Sequence, residues 1–153
     1  MVETEILLEK LLLKLKSYCA YQERCSKDVV QKIYPYKLSA SQTHWLINEL
    51  TSNDFLNDAR FAIQYAGGKF RINKWGKVKI HHALRNLDIS SSAINSALHQ
   101  ISDEAYISTI KKLAVQKLTS LRKEENAQLK KRKVHNYLVQ KGYEKTFVRE
   151  VIK

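Results

Sequence analysis

Turn-forming residues are scarce in this chain. Pro35 is its one proline and there are four glycines in 153 residues, so the tight turns of an all-β fold have almost no chemistry to draw on. Cysteine is scarcer still. Cys19 and Cys25 match neither a zinc nor a redox spacing, which excludes a disulfide framework, fits a reducing cytoplasm and makes both plain helix residues. Long apolar runs are also missing: nothing approaches the roughly 20 apolar residues that span a bilayer. The leucine-rich opening MVETEILLEKLLLKLK is broken by Glu3, Glu5, Glu9 and Lys10, so neither a signal peptide nor a membrane segment is expected.

Acidic residues are the last shortage, and it is local. Residues 1–54 balance seven basic against seven acidic side chains, whereas residues 55–102 hold seven against two and residues 103–153 thirteen against six. The net charge of +12 thus belongs to the middle and last thirds. Such a surface attracts nucleic acid, an acidic protein or anionic lipid; generic solubility is the plain alternative. What remains, 44% hydrophobic and 27% charged, is the composition of a folded chain. With turn chemistry so thin, the class is all-α.

A repeat organises the apolar residues. Ile80, Leu84, Ile89, Ile94 and Leu98 follow by steps of 4, 5, 5 and 4, and Val134, Leu138, Tyr143, Val148 and Ile152 repeat those steps 54 residues on. A weaker copy lies 51 residues upstream at Val29, Ile33, Leu38, Thr43 and Ile47, with Thr43 the polar mismatch. The period predicts three three-helix units over 4–54, 55–101 and 102–153, with function along a surface rather than in one deep pocket.

Helix signals fill in each unit. Leu8, Leu11, Leu12, Leu15, Tyr18 and Cys19 make one stripe of a helix from Thr4 to Glu23, and a second helix over Ser26–Ile33 stops at Pro35. Ser39-Ala40-Ser41-Gln42 is a capping box. Asn57 caps a helix expected to run through Gly67-Gly68, and a Gly-Gly-Lys without the longer P-loop spacing does not make a phosphate cradle. Short helices follow from Gly76 to Asn86 and from Ser90. The third unit opens at Ser102-Asp103-Glu104 with a stripe of Ile107, Ile110, Leu113, Ala114, Leu118 and Leu121. A helix from Ala127 to Gln140 ends at Gly142, and the last begins at Glu144.

Three stretches carry a resemblance. Leu56-Asn57-Asp58-Ala59-Arg60-Phe61-Ala62, the basic turn Arg71-Ile72-Asn73-Lys74-Trp75-Gly76-Lys77-Val78-Lys79-Ile80, and Lys141-Gly142-Tyr143 together resemble the RecX family, regulatory proteins of RecA recombinase. The pattern departs at Asn86-Leu87-Asp88, where a Lys-Gly turn is usual and the helix pair is expected to meet at a different angle. It departs again at Tyr36-Lys37, which lacks a turn glycine. The resemblance implies an elongated, curved array of three tandem three-helix repeats, without a cofactor or catalytic residue. It would lie in the groove of RecA–DNA filaments, inhibit ATP hydrolysis and strand exchange, and act in recombination, repair and the SOS response. Single- or double-stranded DNA is a further contact it implies.

The candidate contacts are cationic. Arg71, Lys74, Lys77 and Lys79 surround Trp75, and Arg85 lies two turns on. Loop cations can follow a phosphate backbone, while an indole either stacks on a base or covers a core edge. Lys130-Lys131-Arg132-Lys133 either spread over all faces of a solvated helix or, matched to the first cluster by the 54-residue shift, extend one contact strip. His81 and His82 are adjacent, and His44, His99 and His135 stand alone, so no metal site is expected. No nucleophile motif, carboxylate pair or dinucleotide fingerprint is present, and an enzyme is not expected. Competing readings are a general helical DNA binder, with helix-turn-helix geometry over Val134–Ile152, and an adaptor for an acidic protein. A monomer is the default, as no coiled coil is evident.

Overall fold

The structure, a computed structural model, describes residues 2–153. Among these residues there are nine α-helices and no strand. The first set is α1 (Val2–Tyr21), α2 (Ser26–Ile33) and α3 (Ala40–Ser52); the second is α4 (Asp58–Arg71), α5 (Lys77–Asn86) and α6 (Ser91–His99). The third is α7 (Asp103–Ser120), α8 (Ala127–Gln140) and α9 (Lys145–Val151). Pro35 lies in a single 3-10 turn that closes α2. Helix-on-helix packing is concentrated within each set, so turns and single side chains must join one set to the next.

The caps stand where the sequence puts them. The Asn57, Ser90 and Ser102 side chains accept from backbone N–H groups three residues on, at 2.9–3.2 Å, and Asn126, not among the expected caps, does the same for α8 at 3.0 Å. Ser39 and Gln42 close a full capping box, and α4 continues through both glycines. Two expectations change. The first helix ends at Tyr21 rather than Glu23, because Arg24 Nε turns back to donate to the Tyr18 carbonyl at 3.1 Å. Cys25 is not helical but occupies the N-cap of α2.

Every strong position of the repeat is core. Ile80, Leu84, Ile89 and Ile94 are buried, as are Val134, Leu138, Tyr143 and Val148, with Leu98 and Ile152 packed at the margin. Fully burying each such side chain is worth on the order of 1.5–3 kcal/mol. On α7 the expected Ile110, Leu113 and Ala114 are buried and Leu121 packs against the core, but Tyr106, 1% exposed, joins them and Leu118, 44% exposed, does not. In the first half of α7 Tyr106 packs on Phe70 of the second set, while Leu118 near its end stays exposed. The three sets share two cores. One belongs to the first set; the other runs without interruption through the second and third.

The joint between the first two sets is polar. Asp58, the first residue of α4, accepts from the Ser26 N–H at 2.9 Å and from its hydroxyl at 3.2 Å, so it caps α2 from across the joint. Arg60 pairs with Glu23 and reaches Asp54 at 3.1 Å. Lys27 Nζ donates to the Asn86 carbonyl at 2.7 Å. Beside them Cys25 enters the second core as a free thiol, which burial pushes up to a pKa of about 11.

The three equivalent turns share a left-handed residue: Lys37 at φ 50°, Asp88 at φ 60° and Gly142 at φ 103°. The last two form the same closing motif. Ile89 N–H returns to the Leu84 carbonyl at 3.1 Å, and Tyr143 N–H to the Leu138 carbonyl at 3.1 Å. The departure at Asn86-Leu87-Asp88 therefore does not break it, since aspartate tolerates this region, whereas the first turn closes differently, with Lys37 N–H on the Tyr34 carbonyl at 3.1 Å. At Gly142 the requirement is spatial as well. A Cβ there would lie 2.3 Å from the Lys79 Cβ, and one on Gly76 would lie 2.2 Å from the Gly142 carbonyl carbon. Gly142→Ala is expected to cost about 3 kcal/mol, combining left-handed strain with overlap. Asp88→Gly should change stability by less than about 1 kcal/mol; urea unfolding of the two variants compares them.

Candidate nucleic-acid interface

The second and third sets meet at the start of α5, and the first cationic cluster is built on that meeting. A helix start leaves N–H groups without partners inside the helix. Here the third set supplies them. Gly76 N–H donates to the Lys141 carbonyl at 2.8 Å and Val78 N–H to the Gly142 carbonyl at 2.9 Å. Lys77 N–H donates to the Tyr106 hydroxyl at 2.9 Å, and that hydroxyl donates onward to the Glu144 carboxylate. In return the Tyr143 hydroxyl donates to the Lys74 carbonyl, and Lys141 Nζ to the Asn73 carbonyl, both at 2.8 Å. The Tyr106 and Tyr143 rings lie 5.2 Å apart. Burial raises both phenol pKa values above their ordinary range, so both stay protonated donors.

This joint gathers ammonium groups on one side. Burial lowers the pKa of Lys141, and repulsion from Lys79 and Lys74 lowers it further. Trp75 is half-buried against the shared core, with Lys79 Nζ 4.7 Å and Lys69 Nζ 4.8 Å from its ring centre, a cation–π arrangement. The indole therefore covers a core edge and carries cations above it.

Other candidates lie apart from this group. Lys77 Nζ sits 4.9 Å from the centre of the Tyr106 ring, inside the joint. Arg71 folds back along α4, and its guanidinium would come within 2.6 Å of a Cβ on Gly67. Arg85 is exposed in the last turn of α5, about 9 Å along the helix from Lys79 at 1.5 Å per residue. In the second cluster, Lys131 and Arg132 are exposed and Lys130 half-buried, while Lys133 pairs with Glu124 at 3.5 Å. The segment matched by the 54-residue shift begins α5, but α8 starts one turn earlier and is capped by its own Asn126. The two segments thus have different surroundings despite similar charge.

Lys69 and Lys141 were not among the sequence candidates. Lys141 stands in the Lys-Gly-Tyr turn, and its charge joins Lys74 and Lys79 only because that turn docks on Gly76. The pairing of two glycine turns was the available signal. Among the described residues no group of three or more His, Cys, Asp or Glu side chains is placed to hold a metal ion.

The family model for the RecX second three-helix domain matches residues 57–98, which span α4 to α6. A protein of Clostridium acetobutylicum named regulatory protein RecX is 34% identical over 133 residues, 85% of this chain and 61% of its own length. The chain belongs to the RecX family.

A regulatory protein RecX of Bacillus cereus is 26% identical, over 95% of this chain and 52% of its own length. This chain thus spans only part of the curated RecX relatives it matches. The crystal structure of RecX from Lactobacillus salivarius has the same fold, with a TM-score of 0.86 at 23% identity over 95% of this chain and 94% of that one. In this RecX chain the three stretches that carried the resemblance are the joints: Leu56–Ala62 binds the first set to the second, and Arg71–Ile80 meets Lys141–Tyr143 to bind the second to the third. Tyr106→Phe keeps the ring but leaves the Lys77 N–H and the Glu144 carboxylate without their partner. A loss of about 1–3 kcal/mol is expected in chemical denaturation, with the helical signal retained.

Proposed function

We propose that this RecX chain binds RecA–single-stranded DNA filaments along their groove and restrains ATP hydrolysis and strand exchange, without catalysis of its own. The family name supports a regulatory role, and the resemblance supplies RecA as partner. The observation that carries the reading is the gathering of Lys74, Lys79 and Lys141 at a rigid joint, where Lys141 Nζ donates to the Asn73 carbonyl at 2.8 Å and Lys74 Nζ to the Arg71 carbonyl at 2.7 Å. There, repulsion from Lys79 and Lys74 adds to burial in lowering the Lys141 pKa. A phosphate backbone would relieve that repulsion and release its own counterions. The indole of Trp75 and the more distant Arg85, Lys130, Lys131 and Arg132 would extend the contact along the array. Several contacts on one stiff ligand raise affinity through effective concentration. Among the described residues no helix is long and apolar enough to cross a membrane, and we place the protein in the cytoplasm with recombination and repair.

A general DNA binder is the second reading, supported by the same lysines. The two separate in a titration of DNA-dependent ATP hydrolysis by the cognate RecA at two DNA concentrations. Inhibition that follows the protein-to-RecA ratio and survives excess DNA is the expected result; relief by excess DNA means sequestration. In the variant carrying Lys74→Glu and Lys79→Glu, helicity should be unchanged. Its salt dependence on single-stranded DNA should be shallower by about 1.4 in log–log slope, from roughly 0.7 per phosphate contact. An unchanged slope would remove both lysines from the contact.

A further inference from the structure

At the far end of the array, α7, α8 and α9 enclose an open cleft of about 350 Å³. Val115, Leu118 and Val134 line it, and Lys111, Lys131 and Lys153 stand around it with no acidic side chain among the lining residues. Val115 is 62% exposed and Leu118 44%, an apolar surface with nothing of this chain against it. Glu150 holds Lys153 at 3.2 Å. Among the described residues neither Lys111 nor Lys131 has an acidic partner within 4.0 Å.

The repeat shows what such a slot takes. In the second set the corresponding places are held by Phe70, as far beyond the cap Asn57 as Val115 is beyond Ser102, and by Lys77 and Ile80, which the 54-residue shift maps onto Lys131 and Val134. There the slot is filled by an aromatic ring. Tyr106 lies 5.8 Å from Phe70 between ring centres, under the ammonium of Lys77, and its hydroxyl donates a hydrogen bond to the carboxylate of Glu144. Valine in place of phenylalanine leaves the third slot roomier, while the lysine is kept. We infer that the cleft between α7, α8 and α9 docks a protein segment that presents an aromatic side chain beside acidic residues. Apolar lining argues against a phosphate backbone, which would leave Val115 and Leu118 wet. The acidic first turn of α1, with Glu3 and Glu5 beside Ile6, contains no aromatic residue, and the carboxylate nearest the exposed Tyr21 in sequence, Glu23, is held by Arg60, so a second copy is the poorer fit.

This inference does not rest on the filament reading. It is tested on the full chain with a fluorescent, acetylated peptide in which one tyrosine is flanked by glutamates, followed by anisotropy. Saturable binding is expected, weakened at least about tenfold, or 1.4 kcal/mol, when alanine replaces the peptide tyrosine. A similar loss is expected in Leu118→Glu and in Lys131→Glu. Both positions are exposed, and circular dichroism checks that each variant folds. Absence of binding, equal binding of the alanine peptide, or unchanged binding in Leu118→Glu would overturn it. So would sedimentation showing that the peptide-free protein self-associates and that Leu118→Glu abolishes this, since the occupant would then be another copy.

Discussion

Two glycines pressed backbone to backbone hold the larger part of this molecule together. Gly76 and Gly142 come so near that neither could carry a β-carbon without moving the other strand of the joint. That approach lets the start of α5 find its hydrogen-bond acceptors in a turn 65 residues away. One hydrophobic core can then run through six helices. The tyrosine pair beneath the glycines seals the contact, because each phenol is buried and each hydroxyl has a defined acceptor. Polar groups enclosed this way gain in strength from the low dielectric around them.

The basic surface follows from this construction. Lys74 and Lys79 are close in sequence, but Lys141 comes from a distant turn and would be a stranger to both in an unfolded chain. The joint brings them within electrostatic reach of one another, at some cost to the charged state of Lys141. Folding energy stored in the glycine and tyrosine contacts thus holds positive charge in a fixed pattern. A partner with spaced negative charge meets a surface that needs little rearrangement, and preorganisation of that kind favours binding.

The fold was largely legible in the sequence, because its repeat, its caps and its shortage of turn formers are local or periodic signals. The candidate interface was legible only in part. Lys74 and Lys79 flank Trp75 in sequence and remain near it, whereas Lys77 turns inward to Tyr106 although it stands between them. Neighbours on a helix diverge by about 100°, so a run of cations cannot reveal which members share a face. Tyr106 was missed for a related reason. It lies one step off the expected α7 stripe, and its burial is set by another set's helix start rather than by its own periodicity. Lys141 shows the same limit, since long-range docking decides its company.

The two joints are made of different materials. The outer one relies on Asp58, on the partly exposed Arg60–Glu23–Asp54 group and on Lys27, between two separate cores; the inner one is backbone and buried phenol. Salt screens the first strongly and the second hardly at all. Ionic strength therefore reaches this protein twice. On the proposed reading it thins the attraction of the lysines for phosphate, and it loosens the attachment of the first three helices. Affinity and the reach of the array are coupled through the same dissolved ions, with the block of six helices as the part that keeps its shape.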